Sequence, residues 1–369
     1  MAKTRSILLY PFSLFYGFVT GVRNFLYRAD IIKSREFDVP VICVGNLSAG
    51  GTGKTPHTEY LIELLQKSFC VAVLSRGYRR KSSGFVVAYP NSTVSDVGDE
   101  PLQISRKYPG IIVAVDRNRV HGVEEIMKAF PKTSVIILDD GYQHRRITPG
   151  FSILLSDFDN LMIKDHLLPY GNLREGRHNM NRADIILITK SPENISPIER
   201  RLIVSDINKK PYQNLYFTSI SYGKPSPVFD NEAKNEDPFS SVQISNRGFL
   251  LVTGIANPAP LAEYIGNKAA EIIHLPFGDH HKFSAGDIEN ILSVFNTLKA
   301  PDKYIITTEK DSVRLREFTN IAEPARSAFY YVPIGIWFLN DDQDEFDNMI
   351  VDYVRKNKQN NRVSQGQRI

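Results

Sequence analysis

A glycine-rich segment between an apolar run and a helical pattern constrains this chain more than any other feature. The segment reads Ser48-Ala49-Gly50-Gly51-Thr52-Gly53-Lys54-Thr55. It follows the apolar run at 41–44, and Leu61, Leu64 and Leu65 after it share one helical face. Glycines allow main-chain N–H groups to close around an oxyanion because a Cβ would block the approach, and a helix N-terminus adds partial positive charge. Strand, glycine-rich turn and helix in this order predict a phosphate-binding loop.

Two side chains at the end of this segment suit a nucleotide bound with a divalent cation. Lys54 can reach the β- and γ-phosphates, and the hydroxyl of Thr55 can bind Mg²⁺. The general pattern G-x-x-x-x-G-K-[ST] has glycine where this chain has Ser48. We predict that residues 48–55 bind the phosphates of a nucleotide, with Mg²⁺ as the accompanying ion.

Short apolar runs recur between helical stretches along the whole chain. Continuous Val/Ile/Leu runs without alternation predict strands that are buried on both faces, and interleaved helices make the sheet parallel. Ligands of such sheets bind outside the carboxyl ends of the strands. The runs lie at 41–44, 71–74, 111–115, 135–138, 153–155 and 185–188, and a second set lies at 249–252, 272–274, 304–306 and 329–332.

The N-terminal segment is basic and aromatic. Lys3, Arg5 and Arg23 flank 17 uncharged residues, Ser6 to Val22, which are rich in Leu, Phe and Tyr. A spanning helix needs about 20 apolar residues, and no small-residue cleavage site follows, so neither a membrane span nor a signal peptide is favoured. The pattern favours a helix lying at a membrane surface; a helix packed on the protein's own core is the alternative.

These patterns predict an α/β protein with a P-loop NTPase-type, mostly parallel sheet flanked by helices. A second, smaller α/β domain and an N-terminal membrane-interface helix complete it. A Pro- and Ser-rich stretch suggests the connection between the domains. The predicted organisation is a membrane-associated helix (1–30), a P-loop domain (31–220), a linker (221–247), a second α/β domain (248–354) and a polar, disordered tail (355–369).

Composition excludes some classes of function. The net charge of +4 is small, and no arginine-rich patch alternates with stacking aromatics, so nucleic acid is not an expected partner. Cys43 and Cys70, the two cysteines, make no disulfide framework and favour a reducing compartment. Structural zinc is not expected because C-x-x-C and His-rich patterns are absent. No obligatory protein partner is evident.

Two acidic segments carry candidate catalytic groups. The apolar run at 135–138 ends in Asp139-Asp140, and a strand that delivers carboxylates opposite a phosphate loop typically holds Mg²⁺. Asp99, in the turn Gly98-Asp99-Glu100-Pro101, could accept a proton from an attacking hydroxyl; its alternative role is a helix cap.

Basic loops and a histidine pair form a third group of candidates. Arg76 and Arg117 follow two strands of the predicted sheet, and a charged loop at 168–177 contains Arg174. Basic groups at one sheet edge would suit a phosphorylated substrate. His280 and His281 lie between aromatic residues in the second domain, where a histidine could orient a carboxylate.

Taken in order, these segments resemble the tetraacyldisaccharide 4'-kinase family, the lipid A 4'-kinases of Gram-negative bacteria. The resemblance runs from about residue 40 to 311, and the family tolerates Ser or Thr at the position of Ser48. The matching segments are Gly45-Asn46-Leu47, Gly50–Pro56, Ser75–Tyr78, Gly98–Pro101, Asp116-Arg117, Leu138–His144, Leu168–Gly176, Gly254–Pro258, His280–Phe283 and Thr308–Asp311.

The resemblance implies transfer of the ATP γ-phosphate to the 4'-hydroxyl of an acylated disaccharide 1-phosphate lipid. It implies Mg²⁺ and a peripheral position on the cytoplasmic face of the inner membrane, so that the membrane surface is a partner. It also implies residue roles. Asp99 is the base, and its partner is His280 or, one residue on, His281. Lys54 is catalytic, and the metal is held by Thr55, Asp139 and Asp140. Glu175 lies near the nucleotide, and the residues near the substrate are Arg76, Arg117, Gln143 and Arg174.

The alternative from another class is a membrane-associated P-loop ATPase switch. The deviant loops of such ATPases carry a lysine immediately before the Gly-Gly pair, where this chain has Ala49. That difference and the second domain's histidine pair favour the kinase. A non-enzymatic binding module leaves the Asp139-Asp140 pair unexplained.

Overall fold

The computed structural model describes residues 7–229, 237–240 and 246–366, with side chains up to Asn357 in the last helix. The chain forms two compact units. The first contains residues up to Ile220 together with the segment from Ile336 onward, and the second is Ser221–Gly335. The first unit therefore takes its last elements from the end of the chain.

A nine-stranded sheet organises the first unit. Its strands are β1 (Val41–Asn46), β2 (Val71–Ser75), β3 (Val86–Val87), β4 (Ile112–Val115), β5 (Val135–Asp139), β6 (Phe151–Asp157), β7 (Ile185–Thr189), β8 (Asn214–Tyr222) and β14 (Ile334–Phe338). Their lateral order is β14-β8-β7-β6-β1-β5-β2-β4-β3. The six neighbouring pairs from β8 across to β4 are parallel, and β3 runs antiparallel to β4.

The central strands are buried on both faces, as continuous apolar runs predict. Every residue of β1, β2, β5 and β7 is buried. The predicted mostly parallel sheet flanked by helices is confirmed. The helices of this unit are α1 (Tyr10–Arg28), α2 (Lys54–Leu65), α3 (Val94–Val97), α4 (Asp99–Lys107), α5 (Arg119–Ala129), α6 (Pro197–Ile207) and α10 (Gln343–Gly366).

The second unit is a smaller α/β layer structure. Its elements are β9 (Ser226–Pro227), β10 (Arg247–Thr253), α7 (Ala259–Gly266), β11 (Glu271–Pro276), α8 (Ala285–Thr297), β12 (Asp302–Thr308), α9 (Glu309–Leu315) and β13 (Phe329–Val332). Its five-stranded sheet has the order β11-β10-β12-β13-β9, and its strands are parallel except for the short β9.

The domain bounds differ from those expected from the sequence. Part of the expected linker belongs to the second unit, because β9 pairs with β13 and Val228 and Phe229 lie in that unit's core. The rest of the linker, residues 230–236 and 241–245, lies outside the described residues. Residues 336–354 belong to the first unit, not the second. The tail expected to be disordered (355–369) is instead helical through Gly366, as the last part of α10.

The returning C-terminal segment completes the first unit's core. Phe346, Ile350 and Val354 of α10 are each at most 1% exposed. The ring of Phe346 packs against those of Phe338 and Tyr216 at centroid distances of 4.6 and 6.0 Å. Apolar residues at spacings of four give α10 one buried face.

Candidate active site

The loop between β1 and α2 needs glycine at two positions. Gly50 has φ 122° and Gly53 has φ 84°, in the region that side chains with a Cβ rarely adopt. Gly53 forms the N-cap of α2, so Lys54 and Thr55 begin the helix. The loop also contacts the segment before Arg174, because Ala49 N–H donates to the Asn172 carbonyl at 2.7 Å. The loop thus has the backbone form predicted for a phosphate cradle.

Buried polar side chains hold this loop from below. Asn46 donates to the Thr52 hydroxyl at 2.8 Å, and the Thr189 hydroxyl donates to the Thr52 carbonyl at 2.9 Å. Lys190, which follows β7, donates to the Gly51 carbonyl and to Asp157. These contacts hold the loop through the Thr52 hydroxyl and the carbonyls of Gly51 and Thr52. None of them uses the backbone N–H groups at the start of α2.

His57 is a further support of the loop. Its Nδ1 lies 2.7 Å from the Gly53 carbonyl oxygen and its Nε2 lies 3.0 Å from the Thr218 hydroxyl. Burial lowers the pKa of His57 to about 4, so the ring is neutral at pH 7. Because a carbonyl only accepts, Nδ1 carries the proton and Nε2 accepts from Thr218.

The two aspartates after β5 have different environments. Asp139 is 1% exposed, and its carboxylate oxygens accept from the hydroxyls of Thr58 and Ser75, both at 3.3 Å. Asp140 has φ 48° and lies 3.6 Å from Lys54 Nζ and 3.6 Å from an Arg174 guanidinium nitrogen. The structure therefore brings Lys54, Asp139, Asp140 and Arg174 together at the carboxyl edge of the sheet.

The electrostatics of this pair suit a bound cation. Burial raises the pKa of Asp139 well above its usual range, and the charges of Glu100 and Asp140 add to the rise. Burial alone would also raise the pKa of Asp140, but Lys54, Arg174 and Arg119 hold it below its usual value. One buried carboxylate oxygen of Asp140 has no hydrogen-bond partner among the described residues. A bound cation would stabilise the ionised form of Asp139, and it could also bind the Asp140 oxygen that lacks a hydrogen bond to the described residues and lies 3.6 Å from Lys54 Nζ.

The oxygen ligands of this site suit Mg²⁺ that is bound partly by phosphate and water, not a metal that is held by protein side chains alone. Within the described ranges, no group of three His, Cys, Asp or Glu residues is placed to hold a metal. Mg²⁺ is usually bound by one or two carboxylates, with phosphate oxygens and water completing an octahedron. Asp139 ends β5 and Asp140 follows it, so two such carboxylates are adjacent, and Thr55 is the second residue of α2.

The turn that contains Asp99 faces the same region. Asp99 is the first residue of α4, is 3% exposed, and follows Gly98, whose φ is 91°. The charge of the next residue, Glu100, acts on Asp139. The N-terminus of α4 therefore lies near the aspartate pair, and Asp99 is more buried than an ordinary helix-capping aspartate.

The predicted substrate residues come from loops at this edge. Gln143 donates from its side chain to the Asn46 carbonyl. Arg117 is exposed after β4 and lines a cavity together with His144. Arg76 is exposed after β2 and acts electrostatically on His144. Of the four, Arg174 is the one that contacts the residue directly after β5, since it lies 3.6 Å from Asp140.

Glu175 has a different environment from the one its expected role suggests. It is 1% exposed, accepts from Arg182 at 2.7 Å and from Asn24 of α1 at 3.2 Å. These contacts tie the loop to the N-terminal helix. Its assignment to the nucleotide stays a prediction.

The two histidines of the second unit differ in their contacts. His281 lies 3.0 Å from Asp287 of the α8 capping box and packs between the rings of Phe277 and Phe283. His280 has φ 56°, and its ring nitrogens lie 3.0 Å from Lys310 Nζ and 3.1 Å from an Arg314 nitrogen. Both histidines therefore make contacts within the second unit, and the choice of His280 stays a prediction.

The N-terminal helix has its polar side on the protein and its apolar side outside. Ser13 and Asn24 are 4% and 1% exposed, and the Tyr16 hydroxyl donates to the Arg174 carbonyl at 2.9 Å. Within the described residues, no helix combines the length and hydropathy needed to cross a bilayer. The large apolar side chains of α1 that are between 42% and 70% exposed are Tyr10, Phe12, Leu14, Phe15, Phe18, Val19, Val22 and Phe25.

Sequence reasoning missed the residues that support the phosphate loop. His57 lies within α2, and its spacing from other residues matches no motif that would indicate a supporting role. Thr189 and Lys190 come at the end of an apolar strand run, as Asp139 and Asp140 do. Because ligands bind at the carboxyl ends of parallel strands, that position could have predicted a role for Thr189 and Lys190 at the site.

The chain is similar to known proteins over nearly its whole length. The profile of the family described as tetraacyldisaccharide-1-P 4'-kinase matches residues 5–355. A tetraacyldisaccharide 4'-kinase of Bacteroides thetaiotaomicron is 47% identical over 364 residues, which cover 97% of this chain and 95% of the relative. One of Phocaeicola vulgatus is 48% identical over 358 residues, covering 96% and 97%. The crystal structure of LpxK from Aquifex aeolicus in complex with ATP has a TM-score of 0.70 at 26% identity, covering 93% of this chain and 98% of that one.

Proposed function

The chain belongs to the tetraacyldisaccharide-1-P 4'-kinase family, and we propose that it transfers the γ-phosphate of ATP to the 4'-hydroxyl of an acylated disaccharide 1-phosphate, a lipid A precursor. One observation carries the proposal. Lys54 of the phosphate loop lies 3.6 Å from Asp140, beside the buried Asp139, in a chain whose solved relative binds ATP.

Phosphoryl transfer depends on positioning and on neutralising the charge of the transferred group more than on covalent catalysis. The amides at the start of α2 and the ammonium of Lys54 bind the β- and γ-phosphates. Thr55, Asp139 and Asp140 hold Mg²⁺, which neutralises charge on the phosphates when bound. Arg174, which lies 3.6 Å from Asp140, contributes a further cation to this site.

Asp99 is the proposed acceptor of the proton that leaves the 4'-hydroxyl, with His280 as its partner. Two features support the choice of Asp99. It is buried at the N-terminus of α4, and the neighbouring Glu100 acts on Asp139. His280 is chosen as the first of the two adjacent histidines. A carboxylate with an ordinary pKa near 4 is a weak base, but a loose transition state requires proton removal only late. A histidine that orients the carboxylate makes the transfer more favourable.

The acceptor lipid stays in the bilayer, so the enzyme must bind the membrane surface. Helix α1 supports a peripheral position on the cytoplasmic face of the inner membrane, because its outward side chains are apolar while its polar side chains contact the protein. Such a helix buries its apolar face in the headgroup region. Arg23 and Arg28 add positive charge that attracts anionic lipids.

The direct test is incubation of the full chain with γ-labelled ATP, Mg²⁺ and acylated disaccharide 1-phosphate, followed by chromatography of the lipid. We expect label in the lipid product. Lys54→Ala should reduce turnover at least 100-fold, whereas Lys67→Ala, an exposed lysine after the end of α2, should leave it unchanged. Hydrolysis of ATP without lipid labelling would refute the kinase and favour the ATPase switch.

A further inference from the structure

The ring of His280 in the second unit lies between two basic side chains of α9. Its Nε2 is 3.0 Å from Lys310 Nζ, and its Nδ1 is 3.1 Å from a terminal nitrogen of Arg314. Lys310 and Arg314 are one helical turn apart, so both can reach the same ring. An ammonium and a guanidinium only donate hydrogen bonds. Both nitrogens of one histidine therefore face donors.

The ring of His280 cannot accept from both side chains. A neutral imidazole has one N–H and one acceptor nitrogen, and a protonated imidazole has no acceptor. At most one of the two contacts is thus a hydrogen bond to the ring. That contact determines whether the proton of the neutral ring lies on Nδ1 or on Nε2, and the surroundings of the two donors distinguish them.

Arg314 is the donor whose position is fixed. Its side chain is 8% exposed, and its other terminal nitrogen donates to the His281 carbonyl at 2.9 Å. The same nitrogen lies 4.0 Å from the carboxylate of Asp311, whose side chain is fully buried. The planar guanidinium therefore contacts the loop after β11 at two adjacent points, the Nδ1 of His280 and the carbonyl of His281.

The main chain of His280 is tied to the same helix. The His280 N–H donates to the Gly254 carbonyl at 3.1 Å, and the Gly254 N–H donates to Asp311 at 2.8 Å. Asp311 also accepts from the hydroxyl of Thr308, the N-cap of α9, at 2.7 Å. These bonds connect the loops after β10 and β11 to α9. The contact between Arg314 and Nδ1 is therefore supported by main-chain bonds as well.

Lys310 is the donor that can move. It is half-buried, and its ammonium ends a flexible four-carbon stem. A carboxylate already lies on the Nε2 side of the ring, because an oxygen of Asp279 is 4.0 Å from Nε2. A proton on Nε2 can thus face a carboxylate, whereas a proton on Nδ1 would point at the guanidinium of Arg314.

We propose that Arg314 is a positioning residue that fixes the neutral tautomer of His280, with Nδ1 as the acceptor and the proton on Nε2. Arg314 acts through His280 and not on the reacting atoms. An Nε2–H can donate to a carboxylate, so this tautomer suits a histidine that orients a base. The other tautomer would present a lone pair to the same carboxylate. The catalytic part of the inference rests on the proposed function, in which that carboxylate belongs to Asp99.

The tautomer can be measured on the full chain without any substitution. Two-bond proton–nitrogen NMR of protein that contains ¹⁵N-labelled histidine distinguishes the protonated ring nitrogen from the accepting one, and His280→Gln identifies the signals of this ring. At a pH where the ring is neutral, we expect the proton on Nε2 and a hydrogen-bonded Nδ1. A proton on Nδ1 in the wild type would overturn the proposal.

Arg314→Met removes the donor and should let the proton exchange between the two nitrogens, so that their chemical shifts move toward each other. The kcat for lipid phosphorylation should fall about 10-fold with an unchanged KM for ATP. This is less than the roughly 10⁴-fold cost of a wrong tautomer in a Ser-His-Asp triad, because a freed ring is still in the correct form part of the time. Arg314→Lys keeps one donor and should recover part of both effects. Unchanged ring shifts in Arg314→Met, or changed shifts with wild-type kcat, would contradict the positioning role.

Two further variants separate Arg314 from its surroundings. Lys310→Met should leave the proton on Nε2, and loss of that tautomer would assign its control to Lys310 and overturn the proposal. Arg326→Met removes another half-buried arginine of the second unit, one that donates to the Thr319 carbonyl, and should keep the wild-type shifts and kcat. Changes as large as those of Arg314→Met would show a general effect on the unit and would also overturn the proposal. The NMR measurement needs no turnover, so a wild-type protein that labels no lipid refutes the proposed function while the ring nitrogens still test the contact with Arg314.

Discussion

The outward face of α1 makes a quantitative prediction about membrane binding. Phe15 and Phe18 are 69% and 70% exposed, one turn apart on this face. Replacing both by serine removes apolar surface that contacts little of the protein, so the folded unit should remain stable. The perturbation therefore acts on the interaction with lipid and not on the fold.

The size of the effect follows from the exposed area. A phenylalanine presents about 200 Å² of surface, so 70% exposure leaves about 140 Å² in water. At about 25 cal/mol per Å², complete transfer to an apolar phase is worth about 3.5 kcal/mol for each ring. A helix at the interface buries its apolar face only in part, so we take half of the sum, about 3.5 kcal/mol for the pair. This corresponds to a loss in partition coefficient of a few hundred-fold.

The assay is sedimentation of the full chain with vesicles that contain an anionic lipid. The control is Ile198→Ser/Leu202→Ser, which removes two side chains of α6 that are 72% and 60% exposed but lie outside the α1 face. We expect the control to partition as wild type and the α1 variant to stay in the supernatant. Equal partitioning of all three proteins would refute the assignment of α1 to the membrane surface.

Three further predictions follow from buried groups. Asp99→Asn and His280→Gln should each lower kcat by about 10²- to 10⁴-fold while a fluorescent ATP analogue still binds, and wild-type turnover in either would exclude the pair as base and partner. His57, with its pKa lowered to about 4 from 6.5, binds a proton in the unfolded chain before it does so in the fold, so the free energy of unfolding should fall by about 3 kcal/mol as the pH drops from 6.5 to 4. Urea unfolding at several pH values should show a shallower loss for His57→Gln, and identical slopes would contradict the buried neutral ring. Glu175→Ala leaves Arg182, whose side chain is 23% exposed, without its carboxylate and should lower the free energy of unfolding by about 1–3 kcal/mol, measured by urea denaturation; an unchanged free energy would show that this ion pair does not anchor the loop.

Several of the strands that the sequence predicts are buried on both faces. The aliphatic runs that became β1, β2, β5 and β7 have no polar residue to interrupt them, so burial and pattern agree. β8 was not predicted, because its sequence mixes Tyr, Phe, Thr and Ser and its ends are only half-buried. β14 was missed for a similar reason, since Gly335 interrupts a run of five residues.

The candidate site was predictable where chemistry and strand ends coincide. Lys54, Asp139 and Asp140 combine a reactive side chain with an apolar strand or a helix start, and the structure brings the three together. The supports of the loop were not predictable, because His57 and Thr218 are 161 residues apart and meet only through the fold. Residue spacing along a chain carries no information on such contacts.

The strand β14 and the helix α10 also determine when the first unit can finish folding. Both are translated after the whole of the second unit, and until then β8 is the open edge of the large sheet. At synthesis rates of about 5–20 residues per second, a nascent chain exposes that edge to other molecules for roughly ten seconds. Unpaired strand edges are templates for aggregation. A chain released before residue 336 is made therefore has an unpaired, aggregation-prone strand at the edge of its large sheet. The C-terminal segment thus protects the chain from aggregation during synthesis as well as completing the core.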